Sequence, residues 1–180
     1  MYVQIQNTPN PNSLKFLPGK PVSNDEPLEI VDKSKFNNEL IRNILSINGV
    51  NGIFLAENYL SVNKNVKTNW EDIKHIIISF INDYYLSGNE IVIDKAKKNI
   101  NLENLTDIEK KIINLLDSKI RPAVARDGGD IKFKEYKDGV VKVKLQGSCS
   151  GCPSSTMTLK QGVENLLKHY LPEIKNVVAE

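Results

Sequence analysis

The chain of 180 residues is 40% hydrophobic and 26% charged with a formal net charge of +2, the balance of one large or two small globular domains. Its basic residues are spread along the sequence with no arginine-rich block, so nucleic acid is not an expected partner. No apolar run reaches the length of a membrane span, residues 76–81 being interrupted by Ser79, and no basic-then-apolar leader is read at the start, so no membrane association is expected.

In chain order, residues 2–6 alternate like an edge strand, and Thr8-Pro9-Asn10-Pro11-Asn12 follows, its two prolines enforcing an irregular path. Residues 13–17 predict a second short strand closed by Pro18-Gly19. Phe36, Leu40, Ile44 and Ile47 recur at helical spacing up to Asn48-Gly49, a helix stop. Residues 50–55 and 59–63 predict a hairpin. A second helix over 69–86 places Trp70, Ile73, Ile77, Phe80 and Ile81 on one face. The polar, poorly periodic stretch that follows suits a linker.

The second half opens with a capping box, Thr106-Asp107-Ile108-Glu109, on a helix carrying Ile108, Ile112, Leu115, Leu116 and Ile120. Pro122 is expected to kink or end it, and Asp127-Gly128-Gly129-Asp130 to make a flexible turn. Residues 131–136 and 140–146 alternate as strands joined through Asp138-Gly139. Pro153 suits the first turn of a helix running to about Tyr170, with Leu159, Val163, Leu166 and Leu167 inward. Leu171-Pro172 stops it, and residues 174–179 predict a last strand.

Both cysteines, Cys149 and Cys152, lie in Gly147-Ser148-Cys149-Ser150-Gly151-Cys152-Pro153-Ser154-Ser155. Two thiols in a bend of small side chains can bind one metal centre or exchange with one disulfide. Structural zinc and cubane iron–sulfur sites each take four ligands, and neither His75 nor His169 stands at a ligand-like spacing from the pair. A metal held here is therefore half-ligated and open, or completed by a second copy of the chain. Cys152 is expected at the N-cap of the helix opening at Pro153, where partial positive charge and unpaired N–H groups favour thiolate. Three chemistries fit such a pair: an iron–sulfur site, a thiol–disulfide oxidoreductase, or a structural zinc clasp. A thioredoxin-like site should open the first helix of a βαβ unit, whereas this one follows a hairpin.

The runs Asp127-Gly128-Gly129-Asp130, Leu145 through Lys160, and Gly162-Val163-Glu164, with Arg121-Pro122-Ala123-Val124-Ala125, resemble the C-terminal domain of NifU-type proteins. Thr8-Pro9-Asn10-Pro11-Asn12-Ser13-Leu14-Lys15-Phe16-Leu17-Pro18-Gly19-Lys20 resembles the N-terminal domain of Nfu proteins. The resemblance implies a non-enzymatic scaffold and carrier. Such a protein holds a [4Fe-4S] cluster between two subunits, with Cys149 and Cys152 of each as cofactor and metal ligands; [2Fe-2S] and zinc are the alternative contents. Its implied partners are a second copy of itself, upstream cluster assembly proteins, and apo iron–sulfur proteins as acceptors. The expected fold class is α+β, with two small sandwich-type domains, each a small mixed sheet packed by two helices. Residues 1–90 form the Nfu N-terminal domain, 91–105 a linker, and 106–180 the cluster-binding domain. The expected compartment is a bacterial cytoplasm, or the mitochondrial matrix in a processed eukaryotic protein. The first domain departs from the usual family pattern at Asn37-Asn38-Glu39-Leu40 and in residues 59–64.

Elsewhere, Trp70 reads as a core anchor, and His75 and His169 as exposed helix residues. Asp127 and Asp130 are expected to satisfy backbone groups of the Gly-Gly turn. Arg126 is a candidate for placing the cysteine loop. No phosphate loop, catalytic triad or general base is recognised, which points to a carrier, not an enzyme.

Overall fold

A computed structural model describes residues 2–24, 26–91, 105–151 and 153–180. The chain divides into two compact units, Met1–Asp94 and Lys95–Glu180. The predicted linker over 91–105 lies, apart from its two end residues, outside the described residues. Both units are α+β, and no described helix is long and apolar enough to cross a membrane.

In the first unit, β1 (Gln4–Asn7), β2 (Ser13–Leu17), β3 (Leu28–Ile30), β4 (Val50–Leu55) and β5 (Leu60–Lys64) form one sheet in the order β1-β2-β5-β4-β3. Every neighbouring pair is antiparallel, so this sheet is not mixed as expected. β3 escaped the sequence reading because three residues are too few to show an alternation. Helices α1 (Glu39–Leu45) and α2 (Trp70–Leu86) supply Leu40, Ile41, Ile44, Ile73, Ile77 and Ile81 to a core shared with Phe16, Ile53, Leu60 and Val62. The apolar repeat predicted a helix from Phe36. The backbone at Phe36 is extended instead, and α1 starts at Glu39, where the Asn38 side chain accepts the Ile41 N–H at 3.1 Å.

The second unit opens with α3 (Asp107–Leu115), where both halves of the predicted capping box are formed between Thr106 and Glu109. Pro122 does not end the helical path. A wider π turn, Leu116–Ile120, loosens the hydrogen-bond ladder just before it, and the chain continues into α4 (Arg121–Arg126). Strands β6 (Gly129–Lys137) and β7 (Val140–Gly147) form a hairpin through Asp138 and Gly139, both at positive φ (52° and 86°), as a type I′ turn requires. Helix α5 (Pro153–Tyr170) returns the chain to β8 (Asn176–Ala179), which lies parallel to β7. The sheet order is β6-β7-β8, and this sheet is mixed. Along β7, Val141, Val143 and Leu145 are buried while Lys142 is exposed, so one face meets Ile112, Leu116, Val163 and Leu167 in the core. That alternation fixes the register and delivers the chain at Gly147 to the end of the sheet, where the cysteine loop begins.

Candidate functional site

The β6–β7 ladder ends with Asp130 opposite Gln146 and Gly129 opposite Gly147. Gly147 adopts φ +68°, a left-handed conformation that turns the chain off the strand. The loop is then stitched to its surroundings by short groups. The Ser148 N–H donates to the Gly128 carbonyl at 3.2 Å, and the Ser148 hydroxyl to the Asp127 carbonyl. The Ser150 hydroxyl donates to the Gly147 carbonyl at 2.8 Å, and the Thr156 hydroxyl, on the first turns of α5, to the Cys149 carbonyl at 3.1 Å. Gly151, at φ +77°, has open space where a Cβ would stand. The loop is thus held from its inner side, and its tip carries little bulk.

Cys149 itself is only 7% exposed and joins the core of the second unit. Its sulfur sits against Gly129: a Cβ there would lie 2.7 Å from Cys149 Sγ and 2.6 Å from the Gln146 carbonyl oxygen. Only a residue without a side chain fits. Burial pushes the Cys149 thiol up to about 11; the Ser148 hydroxyl, 3.9 Å from the sulfur, opposes this, while the Asp127 and Asp130 charges add to it. The thiolate stabilisation expected at the helix N-cap concerns Cys152, whereas at Cys149, off the strand end, loss of solvent favours the thiol. Helix α5 begins at Pro153, and Cys152 lies outside the described residues.

Behind the loop stands an ion pair that the sequence reading missed. Arg121 grips Asp130 at two points, Nε to Oδ1 at 2.8 Å and Nη2 to Oδ2 at 3.1 Å, and reaches Asp117 with Nη1 at 3.1 Å. Asp130 is 3% exposed, and its hydrogen bonds raise the Arg121 guanidinium above its already high ordinary value. Asp130 was expected to serve the Gly-Gly turn. It lies inside β6, and the turn is confined to Asp127 and Gly128. Asp127 contributes its carbonyl, the acceptor for Ser148. The spacing of Asp117 and Arg121, four apart on a helical path, was a readable signal; the pairing of Arg121 with a strand residue was not.

The remaining candidates are peripheral. Arg126 is exposed at the end of α4. His75 is exposed with Nδ1 3.2 Å from the Glu71 carbonyl, and the His169 ring stands edge-on to Tyr170. Trp70 packs against the first core only partly buried, its Nε1 donating to the Pro11 carbonyl at 2.9 Å. Among the described residues, no group of three or more His, Cys, Asp or Glu is placed to hold a metal ion.

Residues 112–178 match the NifU-like domain model, and residues 3–88 match the model of the scaffold protein Nfu/NifU N terminal. The human "NFU1 iron-sulfur cluster scaffold homolog, mitochondrial" is 40% identical over 180 residues, spanning 98% of this chain and 71% of that protein. The chain belongs to the Nfu/NifU family. The mitochondrial NifU-like protein 4 of Arabidopsis thaliana is 40% identical over 187 residues, covering 100% of the chain and 66% of that protein. The NFU1 homolog of Drosophila erecta is 41% identical over 185 residues, covering 98% and 64%. The chain thus spans about two thirds of the length of these family members. A solution structure of a NifU-like protein from Saccharomyces cerevisiae superposes with a TM-score of 0.48 at 23% identity, over 53% of this chain and 87% of that one. Arg121, Gly129, Asp130 and the cysteine loop all fall within the NifU-like match.

Proposed function

We propose that this protein is an iron–sulfur cluster scaffold and carrier. Its cargo is a [4Fe-4S] cluster held between two copies of the chain by Cys149 and Cys152 of each, and passed on to apo iron–sulfur proteins. The carrying observation is the ligand count. The chain has two cysteines, both in one run of small residues, and the described residues contain no group of three or more His, Cys, Asp or Glu placed to hold a metal ion. A cubane takes four thiolates, so two loops are needed. The names of the relatives, iron–sulfur cluster scaffold homologs, support the same reading, and their mitochondrial designation favours the second of the two expected compartments.

The donor set fits the cargo. Thiolates are the natural ligands of iron–sulfur clusters, and Gly147, Ser150 and Gly151 leave room for a group several ångströms across. Cys149 must give up its proton and its burial to become a ligand. The apo loop is therefore a resting form, and the cargo compensates for the loss. Burial also raises the Cys149 thiol, which leaves this cysteine little attacking thiolate at neutral pH in the apo form. Release needs no catalytic residue: separating the two copies removes half of the ligands, and an acceptor offering three or four thiolates wins by exchange.

The test is anaerobic reconstitution followed by iron and sulfide analysis and a molar-mass measurement. About four irons and four sulfides per pair of chains are expected. A monomer with a full cluster would overturn the shared-ligand arrangement. Transfer is tested by reactivating a [4Fe-4S] apo-enzyme in the presence of a weak chelator. A holo-protein no better than free iron and sulfide would remove the carrier role.

A further inference from the structure

We infer that Arg121 is a positioning residue for cluster loading: its fork on Asp130 holds the strand end that seats Cys149 and neutralises a buried carboxylate beside the cysteine loop. The inference rests on the proposed cluster-carrying function. The path is short. Arg121 holds Asp130 through two charge-assisted hydrogen bonds, Asp130 adjoins Gly129, and Gly129 is the surface on which the Cys149 sulfur rests. Gln146 stands directly opposite Asp130 on β7.

Stability alone does not account for the pair. Desolvating two charges roughly cancels their attraction, and an uncharged pair of similar volume is often no worse. What the pair supplies is direction and charge. The planar fork fixes the angle of the Asp130 carboxylate, and with it the end of β6, in a way a lysine point charge cannot. A cluster bound by four thiolates brings negative charge close to the buried Asp130 carboxylate, since the Cys149 sulfur rests on Gly129, the residue next to Asp130. Without Arg121, the Asp130 carboxylate would face that anion unneutralised.

The experiment uses the full chain as wild type, Arg121→Lys, Arg121→Met, Asp130→Asn and the double variant Arg121→Met/Asp130→Asn. The first readout is the rate at which an iron chelator bleaches the reconstituted cluster. Arg121→Met should bleach about tenfold faster, the worth of one charge-assisted hydrogen bond, with Arg121→Lys intermediate. The double variant should recover most of the loss, since it removes the unpaired carboxylate as well. The second readout needs no cluster: in a Cys152→Ser background, where Cys149 is the sole thiol, Arg121→Met should unseat it and speed its alkylation by iodoacetamide to a similar extent, the variants being compared at the plateau of each pH profile so that only access to the sulfur is read. A purely structural role predicts that both rates follow the unfolded fraction measured by denaturant in every variant, the double variant included, and that outcome overturns the inference. So do wild-type rates in Arg121→Met. If that variant does not fold, Arg121→Lys and the double variant decide the matter on the same criteria. If wild-type protein takes up no cluster, the carrier function falls, and the alkylation rates still judge the clamp.

Discussion

Two irregular segments leave the ends of the two sheets, and they are held in opposite ways. In the first unit, Thr8 through Asn12 is gripped by long side chains from elsewhere. Trp70 donates to the Pro11 carbonyl at 2.9 Å, and Lys64 Nζ reaches Asn12 Oδ1 at 3.1 Å while lying 5.5 Å from the Trp70 ring centre. Pro9 and Pro11 stay exposed, so the indole and the ammonium group tie this loop down without covering it. In the second unit, the cysteine loop is stitched from beneath by the hydroxyls of Ser148, Ser150 and Thr156, and the Arg121–Asp130 pair acts on the strand behind it. A loop anchored by long side chains from distant elements is tied to its own sheet, whereas the described part of the cysteine loop is stitched by short hydroxyls and has open space at Gly151.

The sharpest way to break this contrast is to remove a thiol. Cys149→Ser should abolish cluster binding on reconstitution, while the apo protein keeps its circular dichroism and loses about 1 kcal/mol of stability from a buried hydroxyl. Cys152→Ser should abolish the cluster as well. An apo variant that unfolds would make the cysteines structural and the contrast empty.

Filling the seat of Cys149 comes next. In Gly129→Ala the new methyl meets the sulfur at 2.7 Å and the Gln146 carbonyl oxygen at 2.6 Å, so the loop must shift. A cost of about 1–3 kcal/mol in the second unit is expected, with faster alkylation of Cys149 and no change in the first unit. Unfolding followed by Trp70 fluorescence reports the first unit, and thiol labelling the second. An unchanged labelling rate would show that Gly129 does not set the position of the sulfur.

The matching change in the first unit is Trp70→Phe, which keeps the packing and removes the hydrogen bond to Pro11. It should cost about 1 kcal/mol in denaturant unfolding of that unit, followed by circular dichroism because the only tryptophan is gone, and leave cluster content untouched. A loss of cluster in this variant would mean that the two loops are not independent.

The contrast was only half legible in the sequence. Periodicity located α2, α5 and both hairpins because each buries one face, and the Thr106–Glu109 capping box was visible because its two partners stand three residues apart. The cysteine pair announced itself by composition alone. Contacts between distant residues were invisible: Trp70 with Pro11, and Arg121 with Asp130, depend on which elements the fold places side by side. The short strand β3 and the delayed start of α1 were lost for the opposite reason, being decided by three residues or by one Asn38 cap. The raised thiol of Cys149 could not be read from the motif, since it follows from burial and not from spacing.

The smallest expected effect concerns pH and separates the units once more. Glu164 on α5 accepts the Val177 N–H of β8 at 3.1 Å and pairs with Lys168 at 2.6 Å. The Lys168 hydrogen bond, then that from Val177, lowers its carboxyl below its ordinary 4.5. The folded state therefore binds this proton less readily than the unfolded state. The stabilisation is complete at neutral pH and is lost as pH falls from about 4.5 through the lowered folded value. Glu164→Gln should cost the second unit roughly 0.5–1 kcal/mol at pH 7, a partly exposed pair being screened by solvent. The difference from wild type should close as pH falls below 4.5, since the protonated glutamic acid and the glutamine are then alike. The deficit of Trp70→Phe involves no titrating group and should keep its size over the same range. Denaturant unfolding of both variants at several pH values checks this, and a Glu164→Gln deficit that persisted at pH 3 would show that it comes from lost packing and not from charge.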